Sequence, residues 1–265
     1  MTNWRRVSRL ARTLVAAETD ASGRSLMLYP IGFGLLFVGL TALAATTPSA
    51  LTGTTQHGLT AALDRHFTSV SGPRFAVALV VVQGPVLLAM FAAVVATPTA
   101  QSLVGRRTSR GAFETLLAAP YAYREVFLAL VAAAFALAVG QTLVLAVVGV
   151  GGSWAVLLAA GSRFTVASGP ILYAPYLVPL SVTLWAALVA TTVFMVYPET
   201  ALSGAGTGNL LLLVALLPAF VLLGLTTSAV LSPVVVAAGG FLGVTLLTGA
   251  GVVAIRHWFR PARLL

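Results

Sequence analysis

The sequence predicts an all-α, polytopic membrane protein with six transmembrane helices, an amphipathic interfacial helix at the amino terminus and one short cytoplasmic helix between the second and third spans. Three observations predict it. Apolar residues make up 59% of the 265 positions and charged residues 8%, with a mean hydropathy of +1.01, far from the soluble balance of roughly half apolar and a quarter charged. The apolar residues gather into charge-free runs at 26–47, 76–97, 126–149, 176–197, 210–229 and 234–255, each near the ~20 residues that cross about 30 Å of hydrocarbon. Between the runs the arginines are unevenly shared. Arg5, Arg6, Arg9, Arg12, Arg24, Arg106, Arg107, Arg110, Arg124, Arg256, Arg260 and Arg263 fall on one side, and only Arg65, Arg74 and Arg163 on the other. An even number of spans puts both termini together, and the positive-inside rule makes that side cytoplasmic.

The amino-terminal segment, 1–24, is no secretory leader, since Arg9 and Arg12 break the apolar stretch a signal peptide needs. At 100° per residue Trp4, Val7, Leu10, Ala11 and Leu14 share one arc, and Arg5, Arg6, Arg9 and Arg12 the opposite one. A helix so divided is expected to lie in the cytoplasmic membrane interface, in contact with lipid. The alternative is a basic leader that only fixes topology.

After the first span, residues 48–75 are rich in Thr, Ser, Gly and Pro and read as an outward loop with room for one helical turn. His57, Asp64 and His66 are metal-ligand types, but their spacing matches no metal site. The third run is followed by a second outward segment, 150–175. There Trp154–Ala160 is apolar but too short to span, and Gly161, Arg163, Gly169, Pro170 and Pro175 favour an interfacial or re-entrant element. The last two spans come from one charge-free stretch, Thr200–Ile255, whose turn is expected at 226–233, where Ser, Thr and Pro interrupt the Leu and Val runs. A basic tail, 256–265, closes the chain.

What is missing narrows function. No Asp, Glu, His, Lys or Arg falls inside the six runs, whereas proton relays, voltage sensors and intramembrane hydrolases need ionisable groups there. Gln83, Gln141 and Asn209 are the few amides, and they read as helix-packing or capping groups. GAGTG at 204–208 is followed by Asn209 and Leu210, so it is not a phosphate-binding loop, and no catalytic, cofactor or metal constellation appears elsewhere. The net charge of +9 needs no nucleic acid, because the arginines flank spans and face anionic headgroups. With no cysteine, disulfides and thiolate chemistry are excluded.

The charged island 106–125, RRTSRGAFETLLAAPYAYRE, is the most specific feature. With Gly111 as N-cap, Glu114 falls at N3, where its carboxylate meets the free amides and the positive end of the helix dipole. Pro120 disfavours helix at Ala119, which leaves about eight residues, roughly 12 Å. Phe113, Leu116 and Leu117 share one face. A helix this short needs something to pack against, either the ends of its own spans or another chain.

Gly111, Glu114, Leu116, Leu117, Ala118 and Pro120 reproduce the G-x-x-E-x-L-L-A-x-P pattern found between the second and third spans of ABC-2 type permeases. The chain resembles that family along most of its length, although only residues 111–120 are specific. The haem-exporter subunits of cytochrome c maturation and the permeases of copper-site assembly are similar at the same level. Family members often carry acidic residues before the glycine, where this chain has Arg106, Arg107 and Arg110. The resemblance implies a single ABC-2 transmembrane domain in the cell membrane that is not itself an enzyme. The 111–120 segment would be a coupling helix docked through Gly111, Phe113, Glu114, Leu116, Leu117 and Pro120 on an ABC ATPase subunit. A second copy, or a related permease, would complete a dimer, with the second and fifth spans on the walls of its path. A channel or scaffold independent of any ATPase is the alternative.

Overall fold

The computed structural model describes residues 3–47, 60–61, 63–64, 67–105, 121–166, 174–197, 206–227 and 232–258. Among them six helices form the bundle. α1 is Trp4–Thr46. α2 runs without a break through Arg74–Ala78, a π-helical turn Leu79–Gln83, Gly84–Ala100 and a second π turn Gln101–Gly105. α3 likewise joins Tyr123–Ala146, a π turn Val147–Gly151 and Gly152–Ala159. α4 is Val178–Val196, entered through a 3-10 turn at Ala174–Leu177, and α5 and α6 are Gly206–Thr227 and Pro233–Trp258. Five are long and apolar enough to cross a membrane, and α5 contributes a shorter apolar stretch, Leu211–Thr226. The turn expected at 226–233 falls between the end of α5 and the start of α6.

Two expectations change. The amino-terminal amphipathic helix is not a separate element but the first half of a 43-residue helix, about 64 Å long at 1.5 Å per residue. Its buried positions, Val7, Leu10, Ala11, Leu14, Glu18, Leu26, Pro30, Gly34, Phe37, Thr41 and Ala44, keep one helical phase, with a half-buried Ser22 between Glu18 and Leu26. One stripe therefore faces the bundle throughout, and nothing in between supplies a reason to stop. The outward face changes character instead: Arg5, Arg6, Arg9, Arg12, Asp20 and Arg24 are exposed first, then Met27, Leu28, Leu35, Leu36, Leu40 and Leu43.

The other change is at 150–159, which continues α3 instead of forming an interfacial or re-entrant piece. Glycines along this part of α3 serve close packing. A Cβ on Gly152 would stand 2.5 Å from Val38 Cγ2, and α1 also approaches Gly149, where Gly34 meets its backbone. Beyond Ala159 the chain turns at Gly161, whose φ of +72° suits glycine, into strand β2, Arg163–Val166. β2 pairs antiparallel with β1, Phe67–Ser71, in the segment ahead of α2. The two loops expected on the same side of the membrane thus meet at one end of the bundle.

Contacts fix the order of packing. α1 lies along α3 and parallel to it, since Leu26, Gly34, Val38 and Thr41 meet Gln141, Val148, Gly152 and Ser153 in turn. α4 is central and touches α2, α3, α5 and α6. α2 is enclosed by α3, α4 and α5, with α1 across one side. Beneath the β pair, Phe37, Leu63, Phe67, Phe75 and Leu157 form one core cluster, and the rest of the bundle interior forms a second.

Candidate functional site

The residues expected to couple the chain to a partner, Gly111, Phe113, Glu114, Leu116, Leu117 and Pro120, lie outside the described residues. The structure does describe both ends of their segment. α2 ends at Gly105 and α3 begins at Tyr123, and the start of α1 packs beside these ends. Val7, Leu10, Ala11 and Leu14 share a core cluster with Leu103, Val104 and Val126. The apolar arc of the amino-terminal segment is therefore occupied by the chain's own helices. Its polar arc, Arg5, Arg6, Arg9 and Arg12, is exposed, as is Trp4 at 65%.

Glu125 joins the pieces, and the sequence reading missed it. Its Oε1 accepts the backbone N–H of Asn3 at 3.0 Å and its Oε2 accepts that of Ala122 at 3.3 Å. The second bond is the return half of a capping box, with the carboxylate at N3 of α3; Ala122 has no side chain for the other half. Ahead of the apolar run that begins at Val126, this carboxyl is held below its ordinary value, first by the Asn3 amide, then by the Ala122 amide and the nearby Arg6 charge, with desolvation opposing. An acid three residues into a helix was a legible signal for the cap, but not for the contact 122 residues away. Glu18 was missed as well. It is 4% exposed and continues the stripe of Val7, Ala11 and Leu14, the phase that an arc drawn past Leu14 would have caught.

Inside the bundle the polar groups pair with one another. Gln141 donates from Nε2 to the Leu26 carbonyl at 3.1 Å and accepts the Thr99 hydroxyl on Oε1 at 2.8 Å. Its neighbour Thr142 meets Thr183 at 2.9 Å. One level of α3 is thereby tied to α1, α2 and α4, the packing role read for Gln141. Nearer the β pair, Thr41 meets Ser153, also at 2.9 Å. Gln83 lies in the first π turn of α2, and the side chain of Asn209 is outside the described residues.

Among the described residues no group of three or more His, Asp or Glu stands together. Asp64, one of the residues with a metal-ligand side chain, forms an exposed ion pair with Arg74; His57 and His66 lie outside the described residues. The arrangement offers a cationic helix face and two helix ends around the 106–122 segment, and a bundle interior whose hydroxyls and amide hold helices together. No protein-family model, no curated protein and no solved structure matches the chain.

Proposed function

We propose that this chain is the membrane subunit of an ABC exporter, an ABC-2 type permease that couples ATP hydrolysis in a separate ATPase subunit to movement of a solute across the cell membrane. The observation that carries the reading is the 111–120 pattern set in a charged island between two apolar runs. In this reading the chain crosses the membrane six times, with both termini and the 106–125 loop in the cytoplasm and the 48–75 and 150–175 segments outside. The arginine distribution supports that orientation. The parallel course of α1 and α3 and the pairing of β1 with β2 are compatible with it.

The exposed arginines of α1 lie on the helix whose start packs beside the ends of α2 and α3. They face an anionic leaflet or the rim of the docked ATPase, and together with Arg106, Arg107 and Arg110 they give this contact a charge opposite in sign to that of members with acids before the glycine. Six spans without ionisable groups in their apolar runs offer little to line a polar path within one subunit. Transport therefore belongs to a dimer, with a second copy or a related permease. The alternative, a channel or scaffold with no ATPase, has the 106–125 loop packed on its own bundle.

Purification of the tagged chain from its native membrane tests the choice. A Walker A ATPase that co-purifies, and whose turnover rises when the permease is present, supports the proposal; an active complex without any ATPase favours the alternative. Cysteine substitution checks the orientation on a chain that has no cysteine of its own. Thr60→Cys and Ser168→Cys should react with an impermeant reagent added outside intact cells, and Ser109→Cys should not. The reverse pattern overturns the topology.

A further inference from the structure

The outer part of α2, next to β1, leaves regular helix among buried side chains at 76–78 and 80–82. Leu79–Gln83 is a π turn, a form with i→i+5 bonding that interrupts α-helices frequently at functional sites. In that register the amide of residue 85 would donate to the Val80 carbonyl, but Pro85 has no N–H. The Tyr176 hydroxyl donates to this carbonyl instead, at 2.8 Å, from the 3-10 turn that opens α4.

Gly84 follows directly. A Cβ there would stand 3.1 Å from the Phe37 ring and 3.5 Å from the Tyr176 hydroxyl. The π turn of α3 closes on the same ring, since a Cβ on Gly149 would stand 3.5 Å from Phe37 Cδ1. Two interrupted helices thus bear on one fully enclosed aromatic side chain of α1. Beside Pro85 runs a narrow apolar cleft, where Val82 and Val86 of α2 face Val178 of α4, Leu222 of α5 and Val236 of α6.

We propose that residues 74–83 form a gate: the π turn and Pro85 are its hinge, Phe37 is its pivot, and the hydrogen bond from Tyr176 to Val80 is the latch that holds it closed over the cleft. Released, the stretch leaves α4 and the cleft widens between α2 and α4–α6. This is a route by which the enclosed α2 comes to face a path. The inference does not rest on an ATPase partner, because a channel would use the same gate.

The test is hydrogen exchange on the full chain in nanodiscs, with Tyr176→Phe, Pro85→Ala and the double variant. Tyr176→Phe should speed exchange of the amides of 76–84 about tenfold, the factor that goes with one buried hydrogen bond, and leave those of 88–100 and of α6 unchanged. Pro85→Ala returns a donor to Val80, so adding Tyr176→Phe to it should change the same amides by less than about twofold. A uniform rise over α2 and α6, no local rise, or equal sensitivity in both backgrounds overturns the gate. If Tyr176→Phe does not fold, Val82→Cys decides. Its buried thiol should react more slowly with a small external reagent when Pro85→Ala is added, and an unchanged or faster rate contradicts the proposal.

Discussion

α2 and α6 are both apolar enough to span a membrane, yet 72% of the most apolar window of α2 is buried inside the chain and only 11% of that of α6. In water such a difference would be written in the pattern of polar residues. In lipid it is not, because tails and protein interior are equally apolar and the drive to pack comes from close approach and hydrogen bonding. The distinction lies in side-chain size and pairing. α2 presents Ala89, Ala92, Ala93, Ala96 and Ala100 to its neighbours and engages Gln141 through Thr99. α6 holds Leu242, Leu246, Leu247 and Val253 outward, with Gly239 and Gly243 facing open space.

The contrast breaks most visibly if the two helices are overpacked alike. Ala89→Leu, at a position with no exposed surface, should cost about 1–3 kcal/mol. Ala250→Leu, exposed on α6, should stay within about 0.5 kcal/mol. Unfolding midpoints in mixed micelles measure both, and equal losses would mean that α6 is covered in the native assembly.

Removing the tie at Gln141 comes next. Gln141→Leu deletes two interhelical hydrogen bonds, each worth about 0.6 kcal/mol on average and at most about 1.7 in a membrane protein, so a loss of roughly 1–2 kcal/mol is expected in the same assay. No loss would reopen a role for this amide beyond packing.

Two threonines of α4 sharpen the point at smaller scale. Thr183→Val breaks the bond to Thr142 and should cost about 0.6 kcal/mol. The Thr191 hydroxyl is buried and finds no hydrogen-bond partner among the described residues, so Thr191→Val should be neutral or stabilising. The reverse order would show that Thr191 is the engaged residue.

The smallest effect is at Glu125. Its pKa is lowered on folding, so its contribution is complete above the unfolded value of 4.5 and fades as pH falls below that towards the depressed folded value. Exchange of the first amides of α1 should accelerate over that acid range, and Glu125→Gln should flatten the dependence. An unchanged profile in the variant would remove the Asn3 contact from the account.

The six apolar helices were legible because runs without charge need only counting, and the break between α5 and α6 announced itself through Thr226, Ser228 and Pro233. Continuity was not. Gly161, Gly169, Pro170 and Pro175 pointed to a separate element after the third run, but the helix continues to Ala159, where Gly149 and Gly152 admit α1 at close range. The pairing of β1 with β2 and the Asn3–Glu125 contact join residues about a hundred positions apart, beyond any local pattern. The first π turn of α2 is bounded by Pro85 and held by a tertiary contact from Tyr176, and Pro85 alone signalled no more than a kink. Of the candidate site, the arginine face was readable from phase, whereas the burial of the opposite arc depended on where α2 and α3 would end.

Leu117→Asp tests the central claim most directly. It sets a charge on the face that the sequence pattern predicts it shares with Phe113 and Leu116, and in a desolvated contact with an ATPase it should cost several kcal/mol of association, roughly the loss expected at an interface hot spot. The ATPase is captured on the tagged permease, and the thermal stability of the permease alone is measured beside it. The account predicts lost capture with unchanged stability; retained capture with retained ATPase stimulation would contradict it.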